Sequence, residues 1–239
     1  MSERPNEAAA TGDFEFDALQ KAGNYRAALV QEFSPFLKGR VMEIGAGIGQ
    51  FTEALAALPN VTEVVAIEPE ARFCDAFRKL HPSRKIIEGT TDNLGEDPDW
   101  DAAVCINVME HIRDDATELL KCRQRLAKRA GHLCLFVPAR EEIYAPLDKD
   151  FGHHRRYARP QLREKLTQAG FQIVRLDYFN CIGYFAWWFS FCLLKKRHFD
   201  TGSVVVFDRL IFPVVHALER RLARPPFGQS LVAVARAVG

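Results

Sequence analysis

The chain has 239 residues, of which 48% are hydrophobic and 26% charged. That is enough apolar material for one large core, and it excludes a disordered chain. Its 32 Lys and Arg stand against 31 Asp and Glu, for a net charge of +1, so no global basic field exists to hold DNA or a long RNA.

Residues 1–18 are polar, lack a hydrophobic period and are expected to form a flexible tail, not a secretory leader. From Tyr25 to Leu37 apolar residues recur at helical spacing, and Gly39 is expected to end that helix. Short apolar runs then alternate with helical patterns. Strands are expected at 40–44, 63–67, 85–88, 102–107 and 131–137, with helices up to Leu58, over 69–80 and over 115–129. A mixed-charge loop (139–158) leads to a helix over 160–169, a sixth strand over 171–177 and a seventh over 230–238. Such alternation implies a doubly wound α/β fold, a mostly parallel sheet covered by helices on both faces. Six dispersed cysteines with no C-x-x-C pair read as reduced thiols in a cytoplasmic protein.

The strongest local pattern is Val41-Met42-Glu43-Ile44-Gly45-Ala46-Gly47-Ile48-Gly49, a buried strand running into a glycine-rich turn with a helix behind it. Such a turn brings backbone N–H groups close to a ligand of nucleotide type. Glu43 would repel a pyrophosphate but suits a cationic amino group. Glu68, at the end of the next strand, is placed to accept both hydroxyls of a ribose.

Together with AIEPE, DAAVCINVMEHIRDD and GHLCLFVPA, this pattern resembles the ordered motifs of class I S-adenosylmethionine-dependent methyltransferases. The bacterial subgroup with a Gly-His-x-Arg-Arg-Tyr loop and an aromatic C-terminal insert is the nearest resemblance. It implies a Rossmann-like, seven-stranded sheet whose antiparallel last strand inserts between strands five and six. It also implies a methyltransferase domain over 19–239, with residues 178–228 as a helical acceptor-side insert. By position, Gly45, Ala46 and Gly47 would pass beside S-adenosyl-L-methionine, Glu43 would meet the methionyl amine and Glu68 the ribose. Asp92, flanked by Thr91 and Asn93, would meet the adenine, Asn107 the methionyl part, and Tyr25 would cover the cofactor.

Acceptor chemistry is expected at the carboxyl edge of the sheet. His111 follows strand four in Asn107-Val108-Met109-Glu110-His111, and either acts as a general base or shapes its turn. The loop after strand five, Asp148-Lys149-Asp150-Phe151-Gly152-His153-His154-Arg155-Arg156-Tyr157, offers His153 and Tyr157 as further bases. Arg155 and Arg156 either clamp an anionic group on the acceptor or are satisfied by Asp148 and Asp150. The strand-four motif also resembles one that holds a divalent ion in related O-methyltransferases. Here Asn107 replaces its first glutamate, so Glu110, His111 and His153 are a thin donor set for magnesium and no metal is expected.

The insert carries Phe179, Tyr184, Phe185, Trp187, Trp188, Phe189 and Phe191. Its longest apolar run, 182–194, is short of the roughly 20 residues that span a bilayer. Tyr184, Trp187 and Trp188 are expected to wall an apolar acceptor; a membrane surface or a packed helical hairpin are the other uses of such a segment. The expected activity is O-methylation of a small-molecule, glycan or lipid-like acceptor. A cofactor-binding pseudoenzyme or membrane adaptor, a nicotinamide-dependent oxidoreductase and an RNA methyltransferase are the rivals. The last rests on a local basic patch of Lys195, Lys196, Arg197, Arg220, Arg221 and Arg224.

Overall fold

Strands β1 (Gly39–Ile44), β2 (Val61–Glu68), β3 (Lys85–Glu88), β4 (Ala102–Ile106) and β5 (His132–Pro138) run parallel. The last strand, β7 (Ser230–Ala237), inserts antiparallel between β5 and β6 (Phe171–Phe179), giving the order β3-β2-β1-β4-β5-β7-β6. The structure is a computed structural model that describes residues 20–95, 99–198, 200–222 and 225–238. The expected tail at 1–18 and Arg224 lie outside the described residues.

Alternation along the strands builds two cores, one on each face of the sheet. Met42, Ile44, Ala103, Cys105, Leu133 and Leu135 pack with Leu119, Cys122 and Leu126 of α4 (Asp115–Ala127) and Leu162 and Leu166 of α6 (Arg159–Gln168). Val41, Val104, Cys134 and Phe136, one residue out of step, pack with Leu29 and Phe33 of α1 (Gly23–Phe33) and Leu55 of α2 (Thr52–Ala56). Helix α3 (Ala71–Leu80) buries Phe73, Cys74 and Phe77. The first helix ends sooner than Gly39: it tightens at Ser34–Phe36 into a 3-10 turn containing Pro35, and Gly39 opens β1 with φ of 61°.

The loop after β5 is more ordered than a mixed-charge connector. It contains a 3-10 turn (Glu141–Ile143) and a short helix, α5 (Pro146–Asp150), with Pro146 suiting the first turn. Ile143, Ala145 and Leu147 pack with Trp187 and Phe191, which fastens this loop to the insert.

The insert between β6 and β7 is two helical runs. In the first, α7 (Cys181–Trp187) continues into a π-helical turn at Trp188–Leu193. In the second, α8 (Thr201–Val206) passes through a π turn at Phe207–Ile211 into α9 (Phe212–Leu222). Asp208 ties the second run to α1 by accepting the N–H groups of Asn24 and Tyr25 at 3.0 and 2.8 Å. The chain winds outward from β1 through β2 to β3, and then from β4 to β5 on the other side. The switch point between β1 and β4 is where ligands bind in open sheets of this kind.

Candidate active site at the carboxyl edge of the sheet

The glycine turn leaves β1 and folds back against β2: Gly45 and Ala46 both donate to the Ile67 carbonyl, at 2.8 and 3.0 Å. Gly45 has φ of 69°, and a Cβ there would lie 2.2 Å from Cγ2 of Val108. A side chain is therefore excluded both by backbone conformation and by the turn that follows β4.

Two carboxylates frame this turn. Glu68 is 6% exposed; its Oε2 accepts the Gly47 N–H at 2.9 Å and its Oε1 the Glu70 N–H at 2.9 Å. Each oxygen keeps a second lone pair, so the carboxylate both locks the turn and can still accept hydroxyls. Burial raises its pKa, against the pull of the Glu70 and Gly47 N–H groups. Glu43 is 4% exposed and accepts the Thr52 hydroxyl at 2.6 Å. Burial pushes its pKa up to about 7, with the Thr52 bond acting the other way. Asn107 sits just past β4 with φ of 52°, in the strained left-handed region.

Asp92 lies elsewhere in character. It is exposed and bonded to Lys121 Nζ at 2.6 Å, a contact that lowers its pKa. Thr91 beside it is buried, with its hydroxyl donated to Glu118 at 2.7 Å, so the 91–94 turn is stitched to α4.

A cavity of about 330 Å³ lies between this edge and the insert. Tyr25, Asn107, Phe136, His153, Arg156 and Trp187 are among its lining residues. Tyr25 packs edge-on against Phe136 and Phe179, with ring centroids 6.1 and 5.4 Å away. His153 is 7% exposed, and its Nδ1 lies 2.9 Å from Asp148 Oδ1. When Nδ1–H donates to Asp148, Nε2 carries the lone pair. His111 stands edge-on to His153 at 4.7 Å between centroids. Burial, then the charges of His153 and His154, push its pKa down to about 3, so it is neutral at physiological pH.

Three of the expected acceptor-side residues are engaged within the protein. Tyr157 is fully buried, with its hydroxyl 2.7 Å from Asp115 Oδ2 and 3.2 Å from the Met109 carbonyl. Burial and Asp115 hold its pKa far above the ordinary phenol, and its hydroxyl fastens the strand-four turn to the loop. Arg156 lines the cavity, but it is 2% exposed. Its guanidinium binds Asp148 through Nε and Nη2, at 2.9 Å each, and the Ala139 carbonyl at 3.2 Å, and it stacks 4.4 Å over Trp187. Arg155 pairs with Asp115 at 2.7 Å and donates to the Arg113 carbonyl. Both guanidinium groups are thus held by carboxylates of the protein.

Of the aromatic trio, Trp187 reaches the cavity, Tyr184 packs on Phe185 and Phe227, and Trp188 is 45% exposed. Asn180 also lines the cavity and was not foreseen. It has φ of 61°, caps α7 by accepting the Gly183 N–H at 2.9 Å, and holds Gln229 at 3.0 Å. Its one sequence signal is an Asn directly before a helix.

Glu110, His111 and His153 bring one donor atom each within 4.8 Å of one another. Two imidazoles and one carboxylate suit a borderline ion such as zinc better than oxygen-seeking magnesium.

The chain is similar to curated ubiquinone biosynthesis O-methyltransferases. It is 24% identical to that of Xanthomonas euvesicatoria over 151 residues, 56% of this chain and 63% of the relative. The chain thus spans about three fifths of the length of the first curated relatives it matches. Among solved structures, a chain in the complex of the Haloferax volcanii Trm112 methyltransferase activator superposes with a TM-score of 0.63. The identity is 16%, and all of both chains is covered. An S-adenosylmethionine-dependent methyltransferase from Mesorhizobium loti gives 0.58, at 17% identity over 88% of this chain and 96% of that one. Residues 19–176 match the family model described as a methyltransferase domain. With well over half of the chain matched and the glycine turn, its acids and the seven-stranded order all in place, the chain belongs to the methyltransferase-domain family.

Proposed function

We propose that the chain methylates an oxygen of a small-molecule, glycan or lipid-like acceptor seated in the cavity beneath the insert. The observation that carries this reading is His153, an imidazole held by Asp148 on the wall of a cavity lined by both aromatic and polar residues. The O-methyltransferase names of the curated relatives support oxygen as the target. The six cysteines are free thiols, which supports a reducing, cytoplasmic setting.

When bound, S-adenosylmethionine supplies a methyl carbon made electrophilic by its sulfonium. Glu43, the Gly45–Gly47 backbone, Glu68 and Asn107 would hold it, with Tyr25 as a cover and Asp92 at the adenine end. Trp187, with Tyr25 and Phe136, excludes water from the acceptor. His153 would take the acceptor hydroxyl's proton through Nε2, which lies buried 4.0 Å from Glu110 Oε1, as the O–CH3 bond forms and the S–CH3 bond breaks to leave S-adenosylhomocysteine. His111, whose pKa burial pushes down to about 3, is the second base candidate.

The test is calorimetric titration with S-adenosylhomocysteine and with NAD as control, followed by labelled methyl donor in lipid and polar extracts. One-to-one binding of the homocysteine product alone, with label entering an alkali-stable ether, is the expected result. Binding of NAD alone, or cofactor binding with no transfer to any extract, would overturn the reading. His153→Ala is expected to lower turnover about a hundredfold or more with cofactor affinity preserved. His111→Ala is expected to lower it less, and full activity there would leave His111 a structural role only.

Glu43 gives a pH signature. An ammonium partner requires the carboxylate, and in the empty protein Glu43 keeps its proton up to about pH 7. Affinity for S-adenosylhomocysteine is therefore expected to weaken by up to about tenfold per unit as pH falls below neutrality. The empty fold moves the other way. A raised carboxyl pKa adds stability that is complete below the ordinary carboxylate pKa and lost as pH rises through about 7. Glu43→Gln should flatten both profiles; an unaltered binding profile would remove Glu43 from the amine site.

A further inference from the structure

Eleven of the sixteen large hydrophobic side chains exposed among the described residues fall between Ile182 and Leu218. They form the outer side of the insert. Along its first run, Gly183, Trp187, Ser190 and Phe191 line the cavity. Ile182, Phe185, Trp188, Phe189 and Leu193, interleaved with them, are between 39% and 54% exposed. Along the second run Val204 and Phe207 line the cavity and Phe212 is buried in the core. Val206, Leu210, Val214 and Leu218 step along the outside at intervals of four residues, between 49% and 68% exposed. Residues 181–194 of the first run carry no charge, and a helix that is apolar all round belongs in a non-aqueous setting on both sides. Here the cavity and the core account for the inner side only.

Charge selects what covers the outer side. Residues 181–222 contain six Lys and Arg against three acidic residues. Two of the three acids are turned to internal duties: Asp208 holds the start of α1, and Glu219 accepts the N–H groups of Asn180 and Cys181. Lys195, Lys196 and Arg197 stand exposed at the end of the first run, directly after Leu193 and Leu194, which are 54% and 50% exposed. Aromatic and aliphatic side chains bordered by a basic cluster match an anionic lipid surface, apolar groups to the acyl boundary and cations to the headgroups. No described helix is long and apolar enough to cross a membrane.

We propose that the outer side of the insert docks on an anionic bilayer surface, with the insert lying in the interface and Lys195 and Lys196 at the headgroups, beside Arg197, which pairs with Asp150. Lys196 also lines the cavity. The cavity wall therefore reaches the docked edge, and a lipid-like acceptor would pass from the bilayer into it; this last step rests on the proposed O-methylation. The docking itself does not, because it is read without turnover.

The experiment is sedimentation of the full chain with phosphatidylcholine vesicles, with and without phosphatidylglycerol, at low and physiological salt. Trp188 supplies an optical readout, since Trp100 and Trp187 are only 2% and 6% exposed. Co-sedimentation with the anionic vesicles and a blue shift of tryptophan emission, lost in Trp188→Phe, are expected. The double variant Lys195→Glu/Lys196→Glu should cut partitioning by about tenfold or more. Phe189→Ser/Leu193→Ser should abolish it while the thermal melt and S-adenosylhomocysteine binding stay intact, both residues being exposed. Absence of sedimentation at low salt, or sedimentation indifferent to both double variants, overturns the proposal. So does light scattering that shows a dimer dissociated by Leu210→Glu/Val214→Glu with no vesicle binding, which would give the face to a second copy of the chain.

Discussion

Glu68→Ala is expected to weaken S-adenosylhomocysteine binding by about a hundredfold, and to lower the melting temperature as well. On the proposed reading the carboxylate serves the protein and the ligand at once. It accepts the Gly47 and Glu70 N–H groups at 2.9 Å each, which fixes the glycine turn against the end of β2. Hydrogen bonds to a charged acceptor contribute about 1.5–3 kcal/mol each, so losing the ribose contacts alone would bring about two decades in affinity. Glu68→Gln should fare little better. Its amide must aim N–H groups at one of two backbone donors, and donor against donor is repulsive. Glu68→Asp keeps the charge but retracts it by one methylene, and should fall between. Calorimetry on the three variants decides the matter: an unchanged affinity in Glu68→Ala, with the fold intact, would remove Glu68 from the ribose site.

The strands and the glycine turn were legible because their signals are local. A parallel strand is a short apolar run, and even the edge strand β3 over Lys85–Glu88, half-buried only at Ile86 and Ile87, begins and ends where the pattern does. The loop after β5 was legible only as a choice. Its residues Asp148 to Tyr157 read equally as an anion clamp or as a self-satisfied network, since spacing does not say which charges are buried. In the structure both readings are partly redrawn. Asp148 takes Arg156 and His153 at 2.9 Å, but Arg155 reaches back to Asp115 at 2.7 Å, and Asp150 pairs with Arg197 of the insert. Partners 40 or more residues apart leave no periodic trace, and the Tyr157 bond to Asp115 is of that kind. The insert's aromatic density was plain, whereas its division into a cavity side and an outer side needed the helical phase that two π turns reset.

Asp148→Ala should have the largest effect on stability. The carboxylate is fully buried and accepts from the Ala145 N–H at 2.8 Å, from His153 Nδ1 at 2.9 Å and from Arg156 at 2.9 Å. Removing it strands the Arg156 guanidinium, 2% exposed, without its counter-charge. Breaking a buried pair on one side costs about 3–5 kcal/mol, and at about 2–4 °C per kcal/mol the melting temperature should fall by roughly 6–20 °C. Burial pushes the Asp148 carboxyl up, but the His153 and Arg156 contacts outweigh it and leave its pKa below the usual range. The stability it adds is therefore present above the ordinary Asp pKa and lost as pH falls through the depressed one, so the deficit of the variant should shrink in acid. A purely structural role and a positioning role for His153 separate in the double variant Asp148→Ala/Arg156→Met. Methionine can pack on Trp187, where the guanidinium now stacks at 4.4 Å, and replacing both halves of a buried pair often restores stability. If Asp148 orients His153, the double variant should regain most of its melting temperature while turnover stays low and cofactor affinity stays normal. Recovery of turnover along with stability would reduce Asp148 to a partner of Arg156, and His153 would then need no carboxylate to do its work.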